Sequence, residues 1–286
     1  MTYNFNPGPA IMPRPVLEHV QQELHDYQGR GMSIMEMSHR SKEYEAINSE
    51  AELRFKRLLG VGDGYRVLFM QGGASTQFAL VPMNFLAQGQ VADYLLTGAW
   101  SEKAAEEAEK LGTVHIAGTT REERYCRIPR AAEMQFSANP AYVHLTTNNT
   151  IYGTQWHDMP EVGDRMLVAD MSSDIMSGPI QADKFGLIYA GAQKNLGPAG
   201  VTVVLVRESW LDAAPKTLPT MFRYATYAKN NSLYNTPPVF AVYMLNLVLE
   251  WIEGQGGLPA MANPPPRCCS RSRRSTAVVS GLPKTT

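Results

Sequence analysis

Apolar positions along the chain change their period several times, and those changes divide it into helices and strands. Over residues 15–27, Val16, Leu17, Val20 and Leu24 fall on one helical face. Over residues 41–59, Tyr44, Ile47, Ala51 and Phe55 recur at intervals of three or four, which predicts a second helix. Tyr65–Met70 then predicts a strand, broken at Gln71-Gly72-Gly73-Ala74-Ser75-Thr76, where a third helix begins. Residues 92–97 predict a strand, 101–111 a helix and 114–117 a strand. Short apolar runs at 142–146, 165–170 and 186–190 lie between polar turns. Residues 200–206, β-branched and almost continuously apolar, give the strongest strand signal, and 239–252 predict a buried helix. Apolar runs of this kind suit a sheet covered on both faces. The alternation predicts an α/β fold with a mostly parallel central sheet flanked by helices. No internal repeat is evident.

The two ends differ from this middle. Residues 1–15 form an arm whose Asn6-Pro7-Gly8-Pro9 cannot start a helix. From Pro259 the apolar period is lost, and Pro264-Pro265-Pro266-Arg267-Cys268-Cys269 leads into a basic, serine-rich stretch. The expected organisation is therefore an arm (1–15), one large domain (16–258) and a disordered tail (259–286).

Composition narrows the function. The chain has 286 residues, 44% of them hydrophobic, enough for a large core. A formal net charge of -1 gives no reason to expect nucleic acid or an anionic membrane as partner. No apolar run reaches the roughly 18 residues of a membrane span. No secretory signal is visible at the start. Cys126, Cys268 and Cys269 do not make a disulfide framework, so a cytoplasmic location is expected.

Candidate chemistry gathers where the predicted strands end. Lys194 lies among small residues, Gly191-Ala192-Gln193-Lys194-Asn195, after an apolar run. Partial desolvation there would lower its pKa and favour a Schiff base, although a surface lysine on a turn reads the same way. Asp170 closes the run Met166-Leu167-Val168-Ala169, at the strand end where open α/β sheets bind ligands. A helix N-cap is its ordinary alternative. The Gly72-Gly73-Ala74-Ser75 turn offers a helix N-terminus to a phosphate, or is only a turn. Trp100 can stack on a ring or simply pack in the core. Thr150, in Asn148-Asn149-Thr150, can hydrogen-bond ring substituents, but such polar loops are common. G-x-G-x-x-G and the P-loop pattern are both absent, which argues against a nucleotide site.

The order of these features says more than any one of them. A glycine turn, an aromatic residue, an aspartate at a strand end and a lysine 24 residues later make a recognisable layout. With Asn6-Pro7-Gly8-Pro9-Ala10, Met37-Ser38-His39-Arg40-Ser41, Gln71-Gly72-Gly73-Ala74-Ser75, Thr97-Gly98-Ala99-Trp100-Ser101, Gly191-Ala192-Gln193-Lys194-Asn195 and Leu233-Tyr234-Asn235-Thr236-Pro237-Pro238, the chain resembles the phosphoserine aminotransferases from residue 4 to about 261. These are fold-type I enzymes dependent on pyridoxal 5'-phosphate (PLP). The resemblance implies that Lys194 is the Schiff-base lysine and proton shuttle and that Asp170 pairs with the pyridine nitrogen. Trp100 would stack, Ala74, Ser75 and Gln193 hold the phosphate, and Thr150 touch the ring. Asn235 and Thr236 would reach the cofactor of a second subunit in a homodimer, and His39 and Arg40 would bind substrate. The implied reaction moves an amino group between glutamate and 3-phosphohydroxypyruvate, giving 2-oxoglutarate and O-phosphoserine. It belongs to serine biosynthesis, and in bacterial members also to pyridoxine biosynthesis. A different fold-type I aminotransferase is the alternative. A cysteine desulfurase is disfavoured, because Cys126 has no supporting motif.

The tail departs from the family pattern, which continues into a helix and a small C-terminal domain. Read one base earlier with GC-rich codons, residues 267–280 can encode Ala-Leu-Leu-Leu-Ala-Glu-Pro-Ser-Ile-Asp-Gly-Gly-Gly-Phe, which resembles that helix and the strand start after it. A frameshift is therefore expected, with a genuine variant tail as the alternative, and the coding DNA decides between them. A catalytically impaired product that at most binds PLP is a further alternative reading of the chain.

Overall fold

The computed structural model describes residues 3–263. Seven helices run over Arg14–Glu23 (α1), Lys42–Leu59 (α2), Gly73–Phe85 (α3), Ala99–Glu109 (α4), Tyr224–Lys229 (α5), Val239–Gly254 (α6) and Gly257–Ala262 (α7). Nine strands run over Tyr65–Met70 (β1), Val91–Leu96 (β2), Thr113–Thr119 (β3), Val143–Thr146 (β4), Asn148–Asn149 (β5), Thr154–Gln155 (β6), Leu167–Asp170 (β7), Phe185–Gly191 (β8) and Thr202–Arg207 (β9). Local chemistry fixes the long helix α2. The Ser41 hydroxyl accepts the N–H of Tyr44 at 3.3 Å, and Gly60, at φ 67°, ends the helix in the left-handed region. An N-cap of this kind contributes about 1 kcal/mol.

Seven strands form one sheet in the order β1-β9-β8-β7-β4-β2-β3. β2, β3, β4, β7 and β8 pair in parallel, whereas β9 is antiparallel to both β8 and β1. Only β9 runs against the rest, so the C-terminal ends of β1, β2, β4, β7 and β8 share one edge. The sheet is buried on both faces, as its apolar runs predict. Along β1, Val67 and Phe69 join a core with Ile47, Phe55 and Leu249 of α2 and α6. Leu68 and Met70 join a second core with Phe78, Leu80, Ala104 and Ala108 of α3 and α4.

One boundary needs correction. The chain stays ordered past the expected break, because Pro259 lies in the first turn of α7, where its missing N–H costs nothing, and Leu258 is buried. Helix α7 therefore carries regular structure four residues beyond 258, to Ala262. The expected frameshift and disordered tail otherwise fall on residues 264–286, outside the described residues.

Candidate active site

Five loops leave the shared sheet edge and enclose a cavity of about 140 Å³. Its walls hold Ala74 and Ser75 from the start of α3 and Trp100 from the start of α4. Thr146 and Asn148 come from the end of β4 and the start of β5, Asp170 and Ser172 from β7 and its loop, Gly191 from the end of β8, and Gln193 and Lys194 from the loop after it. The turn after β1 is built on two glycines. Gly72 and Gly73 take φ 94° and 68°, which no other residue adopts easily, and α3 begins at Gly73. Its first turn lines the cavity, and the N–H groups there are those a helix leaves without an intrahelical partner.

The acid and the base sit in contrasting surroundings. Asp170 is buried, and burial raises its pKa above 3.8, opposed by hydrogen bonds from Ser172 and by the charge of Lys194. The Ser172 N–H donates to Asp170 Oδ1 at 2.9 Å, and the Ser172 hydroxyl accepts the N–H of Gly191 at 3.0 Å. Ser172 thus ties the β7 and β8 loops together. Burial lowers the Lys194 pKa below 10.5, with Asp170 and Asp174 acting the other way. Part of that burial comes from the N-terminal arm. Ala10 N–H donates to the Gln193 carbonyl at 2.8 Å, and a Cβ on Gly8 would lie 3.2 Å from Lys194 Cγ. The arm therefore crosses the lysine stem at a point where a side chain would crowd it.

Lys194, Thr150 and Trp100 converge. Lys194 Nζ and Trp100 Nε1 each donate to Thr150 Oγ1 at 3.3 Å, and Lys194 Nζ stands 6.0 Å from the centre of the Trp100 ring. His39, Arg40, Asn235 and Thr236 do not line this cavity. His39 is buried, with Nδ1 3.2 Å from Thr236 Oγ1, while its Nε2 has no hydrogen-bond partner among the described residues. Arg40, Asn235 and Thr236 are exposed. A larger cavity of about 390 Å³ adjoins Lys194 on the other side, but its walls are mostly apolar, among them Met12, Met176, Val248 and Trp251.

Sequence reasoning missed Thr146, Asn148, Ser172, Ser173 and Gly191 of the wall. Ser172 and Ser173 directly follow Asp170, so the strand-end argument that found the aspartate extends to them. Thr146 and Gly191 are the last residues of β4 and β8 and were within reach of the same argument.

The class-V aminotransferase family model matches residues 2–264. The chain belongs to the class-V aminotransferase family. It is 67% identical over 260 residues to the phosphoserine aminotransferase of Herpetosiphon aurantiacus, a match covering 91% of this chain and 72% of that protein. Against the one from Geobacillus kaustophilus the identity is 58% over 259 residues, with the same coverage. The solved phosphoserine aminotransferase of Bacillus circulans subsp. alkalophilus superposes with a TM-score of 0.90 at 56% identity, covering 92% of this chain and 73% of that one. The PLP-bound phosphoserine aminotransferase of Trichomonas vaginalis superposes with a TM-score of 0.87 at 39% identity, covering 92% and 78%.

The residues of this class-V chain fit that cofactor. A buried carboxylate whose charge burial opposes calls for a cationic partner. A half-buried lysine with a lowered pKa faces the same space, and an indole borders it. Gly191 leaves a gap that a Cβ would partly fill, 3.7 Å from the Ala74 amide nitrogen.

Proposed function

We propose that the chain is a phosphoserine aminotransferase subunit. It transfers an amino group between glutamate and 3-phosphohydroxypyruvate, giving 2-oxoglutarate and O-phosphoserine, with PLP as cofactor. The observation that carries this reading is the placement of Asp170, Trp100, Lys194 and the α3 N-terminus around one cavity, in a chain so close in sequence to enzymes of that name. PLP, when bound, supplies an electron sink for the substrate carbon that loses its proton.

The chain's own residues divide the remaining work. Ala74, Ser75 and Gln193 would hold the phosphate, through the N–H groups of the α3 start and the loop before Lys194. Asp170 would hold a proton on the ring nitrogen, and the Ser172 N–H keeps its carboxylate aimed. Trp100 would pack on the ring face and Thr150 hydrogen-bond its substituents. Lys194 would hold the aldehyde carbon, and its free Nζ would move the proton at the substrate α-carbon. A lysine with a lowered pKa is neutral, and so able to accept that proton, over more of the working pH range. The arm at Gly8 and Ala10 excludes water from the lysine stem.

Two parts of the reading concern surfaces outside this cavity. Asn235 and Thr236 are exposed, which supports their reaching the cofactor site of a second copy in a homodimer. His39 and Arg40, beside Thr236, would bind the acidic substrate, and a guanidinium suits a carboxylate or phosphate. No described helix is long and apolar enough to cross a membrane. A cytoplasmic location goes with this reading.

The test is spectroscopic. Purified chain mixed with PLP is expected to give a visible absorption band that Lys194→Ala abolishes. Glutamate is expected to convert the band with release of 2-oxoglutarate, and 3-phosphohydroxypyruvate to restore it. A folded chain showing no lysine-dependent band, or a band that glutamate leaves unchanged, would overturn the reading.

A further inference from the structure

Asn149 is fully buried at the end of the short strand β5 and makes no contact with the cavity itself. Its carboxamide spans two loops. Oδ1 accepts the backbone N–H of Trp100 at 3.1 Å, and Nδ2 donates to Thr97 Oγ1 at 2.8 Å. Thr97 belongs to the β2–α4 turn and Trp100 to the first turn of α4, whereas the backbone of Asn149 belongs to the β5–β6 hairpin that carries Thr150. The hairpin is closed by Gly153 N–H donating to the Asn149 carbonyl at 2.8 Å, and is fastened to the β2 end by Thr154 Oγ1 donating to the Thr97 carbonyl at 2.5 Å. The fit is close. A Cβ at Gly98 would come within 2.8 Å of Asn149 Cγ and Oδ1, so nothing larger than glycine allows the two loops to approach this far.

We infer that Asn149 is a positioning residue that fixes Trp100 and Thr150 relative to each other and to Lys194, and so sets the orientation of the ring they would flank. Trp100 takes its place from a backbone bond to Asn149, and Thr150 is the next residue in the chain. The two therefore share one rigid support. The bond to Thr97 also fixes the rotation of the Asn149 carboxamide. The Thr150 hydroxyl must meet both Lys194 Nζ and Trp100 Nε1, and a shift of the hairpin relative to α4 would break that meeting. This inference rests on the proposed transaminase reading for its catalytic consequence but not for its structural content.

Three variants and two readouts test this. Asn149→Ala removes both bonds. Thr97→Val removes only the acceptor and keeps the shape of a buried side chain, so it decides the matter should Asn149→Ala fail to fold. Without cofactor, Trp100 emission, taken as the difference from the same protein carrying Trp100→Phe, is expected to become at least twofold more sensitive to acrylamide quenching in both variants. With PLP bound, kcat is expected to fall about 10- to 100-fold for Asn149→Ala and less for Thr97→Val, with KM for glutamate within about twofold, since misplacement by about an ångström costs on this scale. Asn149→Asp keeps the Trp100 acceptor and is expected to recover part of the loss. Unchanged quenching in a folded variant would overturn the inference, whatever the activity. So would a rise in KM matching the fall in kcat/KM with kcat unchanged. A wild-type chain that never forms the lysine-dependent band would defeat the proposed function while leaving the quenching result to judge Asn149.

Discussion

Thr150 Oγ1 lies 3.3 Å from Lys194 Nζ and the same distance from Trp100 Nε1, so a single hydroxyl links the lysine proposed to carry the proton to the aromatic wall. It accepts from both, and its own proton is left for a third partner such as a ring oxygen. Thr150→Val keeps the shape and deletes the acceptor. With the loop exposed, little stability is at stake, and kcat is expected to drop about tenfold, the worth of one modest hydrogen bond. KM for glutamate is expected to change by less than about twofold. Steady-state kinetics with glutamate varied checks this, and an unchanged kcat would remove Thr150 from the machinery.

Gly191 offers a sharper division between fold and function. Its added Cβ would meet only the Ala74 amide nitrogen at 3.7 Å and Ser172 Oγ at 3.9 Å, both ordinary contacts. The cofactor-free chain therefore has room for Gly191→Ala, and its melting temperature is expected to stay within about 2 °C of wild type. The methyl group would stand between the α3 N-terminus and the β7 loop, in the space assigned to PLP. PLP affinity, measured by titrating the absorption band, is expected to weaken at least about tenfold, or about 1.4 kcal/mol. Equal affinity in the two proteins would place the phosphate elsewhere.

Much of this arrangement was legible in the sequence because strand ends are. Tyr65–Met70 is a strand with the boundaries its apolar run predicts, and Asp170 closes β7 as expected. Direction was not legible. The composition of β9 is that of the parallel strands in the sheet, yet β9 runs antiparallel to β8 and β1 beside it. The helix α5 escaped because Tyr224–Lys229 is six residues long, too short to show a period. Helix α7 escaped because Pro259 reads as a breaker unless its place in a first turn is known. In the site, Asp170 and Lys194 could be named from chemistry, but Asn149 could not, since its role lies in which two loops it joins. Asn235 and Thr236 were named only by resemblance, and nothing in the cavity of one chain calls for them.

Lys194 connects the site to alkaline stability. Its pKa in the folded chain lies below the 10.5 of an exposed lysine because of burial. Between those two values the unfolded chain holds more protons, so the Lys194 contribution to stability increases as pH rises through the window. Below the window the burial cost is felt in full. Lys194→Met is therefore expected to raise the melting temperature of the cofactor-free chain at pH 7, by roughly 2 °C, and the advantage is expected to shrink as pH approaches 10.5. Melting curves of both proteins from pH 7 to 10.5 measure the difference. A constant difference across that range would show that the lysine is not desolvated in the absence of cofactor.

His144 makes the corresponding claim on the acid side. It is buried in the sheet, with Nε2 2.8 Å from the Tyr189 hydroxyl and its ring stacked on Tyr94 at 4.8 Å between centres. Burial lowers its pKa from 6.5 to about 3. Between these values the unfolded chain binds the extra proton, so the stability due to neutral His144 is complete above pH 6.5 and is lost as pH falls toward 3. At pH 5 the loss is about 2 kcal/mol. Tyr189 lies opposite Asp170 in the register of β7 and β8, so a neutral imidazole beneath it leaves Lys194 as the cation acting on that carboxylate. His144→Gln cannot titrate. Its stability relative to wild type, from urea unfolding at pH 7, 6 and 5, is expected to improve by about 2 kcal/mol over that range. Parallel pH profiles for the two proteins would mean that the buried imidazole takes up its proton without unfolding the sheet around it.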